Sequence, residues 1–136
     1  MVRSFLDTSI FFYAIDSRDL GKQQKARDLI SRLVTSGSGV VSAQVVQEFA
    51  NNAVKKLDLS AEQTVALCEG FADHMVVKPD LALIRNALLL MRSASISFWD
   101  ACIVAAAELA DCKILYTEDL SHGQRFGRVT VSNPFV

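Results

Sequence analysis

The chain is poor in residues that punctuate, cross-link or ligate. Its 136 residues include two prolines, two histidines, three cysteines and one tryptophan, and the formal net charge is −1. Pro79 falls between elements and Pro134 near the end, and no Pro-, Gly- or Ser-rich linker divides the sequence. One domain over residues 1–136 is therefore expected. Cys68, Cys102 and Cys112 are odd in number and form no C-x-x-C, which argues against a disulfide framework and fits buried free thiols in a reducing cytosol. His74 and His122 stand far apart, so no Cys/His spacing suits a tetrahedral zinc ion, and nothing supports cleavage by a histidine pair. Without a positive excess there is no general field for unspecific polyanion binding, although a local basic rim remains compatible. The apolar run IFFYAI, six residues between Asp7 and Asp16, is too short for a signal peptide or a bilayer span. A soluble cytoplasmic protein with no membrane partner is expected. There is no G-x-S-x-G elbow, P-loop or G-x-G-x-x-G.

What is present is apolar material, 51% of residues, arranged in alternation. VRSFL (2–6), GVVSA (39–43), HMVV (74–77), KILYT (113–117) and RVTV (128–131) read as short strands. Between them, helical spacing covers a turn or two from Ser9, then Lys22–Val34, Val45–Leu57, Ala61–Asp73, Leu81–Met91 and Phe98–Ala110. Ser60 with Gln63 makes a capping box, and Asp80 is a natural N-cap. Short apolar strands separated by helices predict a mainly parallel sheet of about five strands covered on both faces, an α/β domain. In such sheets ligand-binding groups gather beyond the carboxyl ends of the strands.

That rule sorts the fifteen carboxylates. Most fall on polar helix faces or in loops, where solvation accounts for them. Asp7 ends the first strand in FLDTS, and Asp119 follows the fourth in YTEDL; each also suits a cap or turn. Glu48 lies beside the apolar stripe of its helix, and taken alone it reads as a boundary residue with its head in water. Asp100 carries the strongest signal, because its helical neighbours Ile103, Val104 and Ala107 are all apolar. Ser97 and Asp100 have the spacing of a capping box, which explains an acid in the first turn but not one facing the core. An unpaired carboxylate there would lose several kcal/mol of hydration. Either a remote Arg or Lys pairs with it, the nearest in sequence being Arg92 and Lys113, or a metal ion does.

The metal alternative requires several distant acids to converge. Their mutual repulsion is relieved by a dication, and all-oxygen donors select hard ions such as Mg²⁺ or Mn²⁺. Such an ion suits phosphodiester hydrolysis.

Three segments, in order and over almost the whole chain, carry a resemblance: FLDTSIFFYA, VVSAQVVQEFANN and SFWDACIVAAAELADCKILYTEDLSHGQRFGRVTVSNPF. Together they resemble the PIN-domain family, especially the VapC-like toxin ribonucleases of prokaryotic toxin–antitoxin pairs. The resemblance implies that Asp7, Glu48 and Asp100 are the first three acids of a metal site. Asp119 falls where family members carry Asp or Asn and is favoured over Glu118 as the inward group. Thr117 matches a Ser or Thr often found near the metal. Some members have a further acid near position 122, where this chain has His122. The implied fold is a three-layer α/β/α domain. The implied activity is Mg²⁺- or Mn²⁺-dependent endoribonuclease action leaving a 5′-phosphate and a 3′-hydroxyl. The implied partners are RNA, a small antitoxin and a second copy in a homodimer.

An acidic site holds RNA only with cations around it. Arg18, Lys22, Lys25, Lys55, Lys56 and Arg125 are candidates, each also explained by surface solvation. Phe12, Tyr13 and Trp99 are available for stacking on bases, with core packing the expected assignment. Two other readings compete. One is a catalytically silent module of the same fold that only binds RNA or antitoxin. The other is phosphotransfer, but a receiver domain needs adjacent acids after its first strand and the haloacid-dehalogenase type needs Asp-x-Asp; here Thr8 and Ser9 follow Asp7.

Overall fold

The structure, a computed structural model, describes residues 2–136. The elements in chain order are β1 (Arg3–Leu6), α1 (Thr8–Ile15), α2 (Leu20–Ser36), β2 (Gly39–Ser42), α3 (Ala43–Leu57), α4 (Ala61–Cys68), β3 (Met75–Val77), α5 (Leu81–Ala94), α6 (Phe98–Leu109), β4 (Cys112–Tyr116), β5 (Arg125–Phe126) and β6 (Val129–Ser132). All five expected strands are present, and the helices occupy the expected spans with ends moved by a few residues. The long helix expected to Asp73 stops at Cys68 and tightens into a 3₁₀ turn, Glu69–Asp73. Glycine at position 70 weakens the α-helix there.

The sheet has six strands rather than about five, in the order β3-β2-β1-β4-β6-β5. Five run parallel; β5 is the addition, a two-residue strand that turns back antiparallel on β6. Its brevity hid it from any periodicity. The sheet therefore ends in β3 on one flank and β5 on the other. Strand residues Phe5, Leu6, Val40, Val41, Leu115, Val129 and Val131 are essentially inaccessible to solvent, as required of strands covered on both faces. Helices α1 to α4 pack on one another, while α5 packs on α6, giving the α/β/α layering. Residues Ala101–Ala107 of α6 are buried without interruption. Four of these seven are alanine, which lets the backbone approach the sheet closely.

The chain order reverses beside β1. It runs outward through β2 and β3, then returns to place β4 and β6 on the other side. Leu6 pairs with Tyr116, so β1 and β4 end level. That reversal is the switch point where α/β sheets open a crevice. No single helix among the described residues is long and apolar enough to cross a membrane.

Candidate active site

Asp7 is the first residue beyond β1, and it sits at the switch point. Its amide donates to the Tyr116 carbonyl at 3.0 Å, which continues the β1–β4 ladder by one step. Its backbone is extended, and the carboxylate caps α1 by accepting from the Thr8 amide at 2.7 Å. The other carboxylate oxygen accepts from the Thr117 hydroxyl, also at 2.7 Å. Thr117 follows β4, is fully buried, and its hydroxyl in turn accepts from the Asp119 amide at 3.0 Å. One hydroxyl thus fixes both Asp7 and the loop that carries Asp119. The capping account of Asp7 and the site account describe the same carboxylate: one oxygen serves the helix, the other the crevice.

Asp7 is 6% exposed. Burial pushes its carboxyl up to about 7, against the pull of the Thr117 and Thr8 hydrogen bonds; the charges of Asp119 and Glu48 push it further. Asp119 is raised too, by desolvation first, then by the charges of Asp100 and Glu118, with Lys56 opposing. Asp7 is therefore coupled to Asp119 and Glu48, and Asp119 to Asp100. Four acids from β1, α3, α6 and the loop after β4 share one electrostatic neighbourhood.

Glu48 is exposed on α3. Gln44, one turn earlier, donates from Nε2 both to the Glu48 carboxylate at 2.9 Å and to the Trp99 carbonyl at 3.2 Å. This bridge ties α3 to the first turn of α6, where Asp100 lies. Ser97 caps α6 by accepting from the Asp100 amide at 3.1 Å. The reciprocal bond that would complete a capping box is not formed. The Asp100 carboxylate is half-buried and, among the described residues, has no hydrogen-bond or ion-pair partner, neither Arg92 nor Lys113. The dipole of α6 favours a negative group in its first turn.

Glu118 and Asp119 are separated by their partners. Tyr13 donates its hydroxyl to Glu118 at 2.6 Å, and Lys22 pairs with the other Glu118 oxygen at 3.1 Å. Lys22 also lies over the rings of Tyr13 and Phe135, at 4.4 and 5.4 Å. Glu118 is thereby occupied outside the acid cluster. Tyr13 and Gln44 are positioning groups that sequence reasoning missed. The Gln44–Glu48 spacing of four was visible in the helix; Tyr13 and Glu118 are 105 residues apart and left no local signal. His122 is exposed and accepts the Asn133 amide on Nδ1 at 3.0 Å, which ties down the tail. Arg18 is engaged by the buried Asp16, whose carboxyl it holds below the usual range.

The donor set is all oxygen: three aspartates, one glutamate and a threonine hydroxyl. Among the described residues no three acid, His or Cys side chains are drawn tightly enough to enclose an ion as they stand. One buried carboxylate, Asp7, and three more accessible ones that repel it or one another nevertheless match the need for a hard dication. A groove of 350 Å³ adjoins the cluster, lined by Gln44, Gln47, Glu48, Asn51 and Trp99. A larger cavity of 510 Å³ lies at the amino end of β4 and includes none of the four acids.

Comparison with known proteins gives the family of the fold. A family model, PIN domain, matches residues 4–127. The chain belongs to the PIN-domain family. No curated protein matches it. Among solved structures this PIN domain is similar to Mycobacterium tuberculosis VapC20, described as a sarcin-ricin-loop-cleaving toxin, at 20% identity and TM-score 0.66, covering 85% of this chain and 91% of that one. It is also similar to a toxin–antitoxin complex from Klebsiella pneumoniae, at 18% identity and TM-score 0.71, covering 96% and 97%. A DNA-bound VapBC from Salmonella typhimurium gives 18% identity and TM-score 0.71, covering 98% and 99%. At these identities the likeness is one of fold.

Proposed function

We propose that this PIN domain is a Mg²⁺- or Mn²⁺-dependent endoribonuclease, the toxin of a toxin–antitoxin pair, acting in the cytoplasm as a single nuclease domain over residues 1–136. The observation that supports the reading is the chain of mutually repelling carboxylates, Glu48 and Asp119 acting on Asp7 and Asp100 acting on Asp119, with Asp7 raised to about 7. Carboxylates so arranged are an unfavourable cluster unless a cation neutralises them. Asp7, Glu48, Asp100 and Asp119 would hold the ion. The ion, when bound, acidifies water and polarises a phosphoryl oxygen.

The chain's own groups do the rest. Thr117 fixes one Asp7 oxygen and the Asp119 amide together, so the donors on β1 and after β4 keep their spacing. Gln44 holds Glu48 toward the first turn of α6. Glu118 is held by Tyr13 and Lys22, so its carboxylate is engaged by them even though its charge still acts on Asp119. Lys56, whose charge acts on Asp119, stands where an RNA phosphate would pass. The partners in this reading are RNA, an antitoxin polypeptide and a second copy of the chain. The toxin–antitoxin complexes among the structural relatives support the antitoxin.

The looseness of the donor set favours a second reading, a silent module that binds RNA or antitoxin without turnover. Total RNA incubated with Mn²⁺, with and without EDTA, separates the two. Cutting is expected in Mn²⁺, and it is expected to vanish with EDTA and in Asp100→Asn while the fold is kept. The fall in the variant should exceed the roughly 10–100-fold lost when a mere outer-shell partner is removed from a metal site. Undiminished cutting by Asp100→Asn would overturn the assignment of that acid. RNA binding with no metal-dependent cutting would establish the silent module.

A further inference from the structure

Trp99 was expected in the core, and it is not there. It is 64% exposed, one residue before Asp100, and it is the only tryptophan of the chain. Its ring is braced edge-on by Phe98, centroids 5.2 Å apart, and Phe98 packs against the core. Its carbonyl is held by Gln44. The indole is therefore an anchored, solvent-facing platform. It forms one wall of the 350 Å³ groove; Gln44, Gln47, Glu48 and Asn51 of α3 supply the rest. That volume is at the small end of ligand clefts.

The polar lining is specific in kind. Gln47 and Asn51 stand one turn apart on α3, so their side chains leave the same face. Both are exposed, and among the described residues neither carboxamide has a hydrogen-bond partner. Each offers one acceptor oxygen and an NH₂ donor. A donor and an acceptor side by side are what the edge of a nucleobase presents, and Asn and Gln pair with adenine in this bidentate way. An aromatic face beside such groups is the usual means of gripping an unstacked base. Further along α3, Lys55 and Lys56 occupy the last turn and bring positive charge for a phosphate.

We propose that the Trp99 groove is a nucleobase subsite, in which one unpaired base of an RNA strand stacks on the indole and pairs by its edge with Gln47 and Asn51. The proposal rests on the ribonuclease reading for its substrate class, and it adds a specificity element: the base held there fixes the position of the strand relative to Asp100.

The single indole is its own reporter. Emission of Trp99 is followed in EDTA, with excitation where tyrosine is silent, during titration with a short oligoadenylate RNA or an abasic strand of equal length. Saturable quenching by the oligoadenylate and little by the abasic strand is expected. The double variant Gln47→Ala/Asn51→Ala, which keeps the indole, should weaken the oligoadenylate titration by about tenfold, with an unchanged circular dichroism spectrum. Equal quenching by both strands would overturn the proposal in favour of charge attraction alone. Absence of quenching, with emission that instead changes on dilution as a dimer dissociates, would overturn it in favour of a second copy covering Trp99. Because no metal or turnover enters this assay, its failure is distinguishable from failure of the cleavage assay.

Discussion

Replacing Asp7 with asparagine tests the cost of the buried acid directly. The Asp7 carboxyl moves from 3.8 to about 7 on folding. At about 1.4 kcal/mol per tenfold change, that shift corresponds to at most about 4 kcal/mol. The folded state disfavours the charged form, so stability is greatest below the unfolded value of 3.8 and is lost as pH rises from about 4 to about 7. Asp119 and Glu108, also raised by burial, act in the same direction; His74, lowered by burial, opposes them near neutrality. The difference between wild type and Asp7→Asn removes these shared contributions. Urea unfolding in EDTA at about pH 5 and about pH 8 should show the variant gaining on the wild type at the higher pH, by up to about 3 kcal/mol, because the first part of the loss is complete by about pH 5. Adding Mn²⁺ at pH 8 should restore the wild type, by about 2.7 kcal/mol at one hundred times the dissociation constant, and scarcely move the variant. A difference that stays flat across this range, or a variant less stable at pH 8, would refute the reasoning.

Thr117→Val removes the hydroxyl that holds the Asp7 carboxyl down. Its Mn²⁺ affinity is expected to fall by about tenfold or more, and the acidic limb of its pH–activity profile to move upward, as read by calorimetry and initial rates. Gly39→Ala would drive a methyl group into Nδ1 of the buried His74. A loss of roughly 1–3 kcal/mol is expected in urea, with most of it recovered in a His74→Ala background. Tyr13→Phe deletes the hydroxyl that donates to Glu118. The expected loss is about 1 kcal/mol, a fall of about 3–5 °C in the melting midpoint by calorimetry.

The alternation of strands and helices was readable because the central parallel strands are largely buried on both faces and so are mostly apolar. Local polar chemistry was equally readable: Ser60 and Gln63 form both bonds of the capping box, and Asp80 caps α5. Asp100 was singled out because its helix is apolar all round, and it proves half-buried without a partner among the described residues. The choice of Asp119 over Glu118 had no local basis; it depends on Tyr13 and Lys22 from α1 and α2, which only the fold brings to Glu118. β5 escaped because two residues have no period, and its hairpin rests on backbone bonds such as Val131 to Gln124 at 2.8 Å. Trp99 was misplaced for a different reason. Apolar character argues for burial only when the position faces the sheet, and the first turn of α6 projects past it.

The two flanks of the sheet, β3 and β5, bear on how the protein behaves at high concentration. β5 is two residues long and folds back on its own hairpin. β3 has three residues, with Met75 and Val76 partly in solvent, and is followed at once by Lys78 and Pro79. A foreign strand seeking to extend either margin finds a template that runs out almost immediately, then on the β3 side a charge and a residue with no N–H to offer. Fibril growth by edge stacking is starved at both margins, by shortness on the β5 side and by shortness, charge and proline on the β3 side.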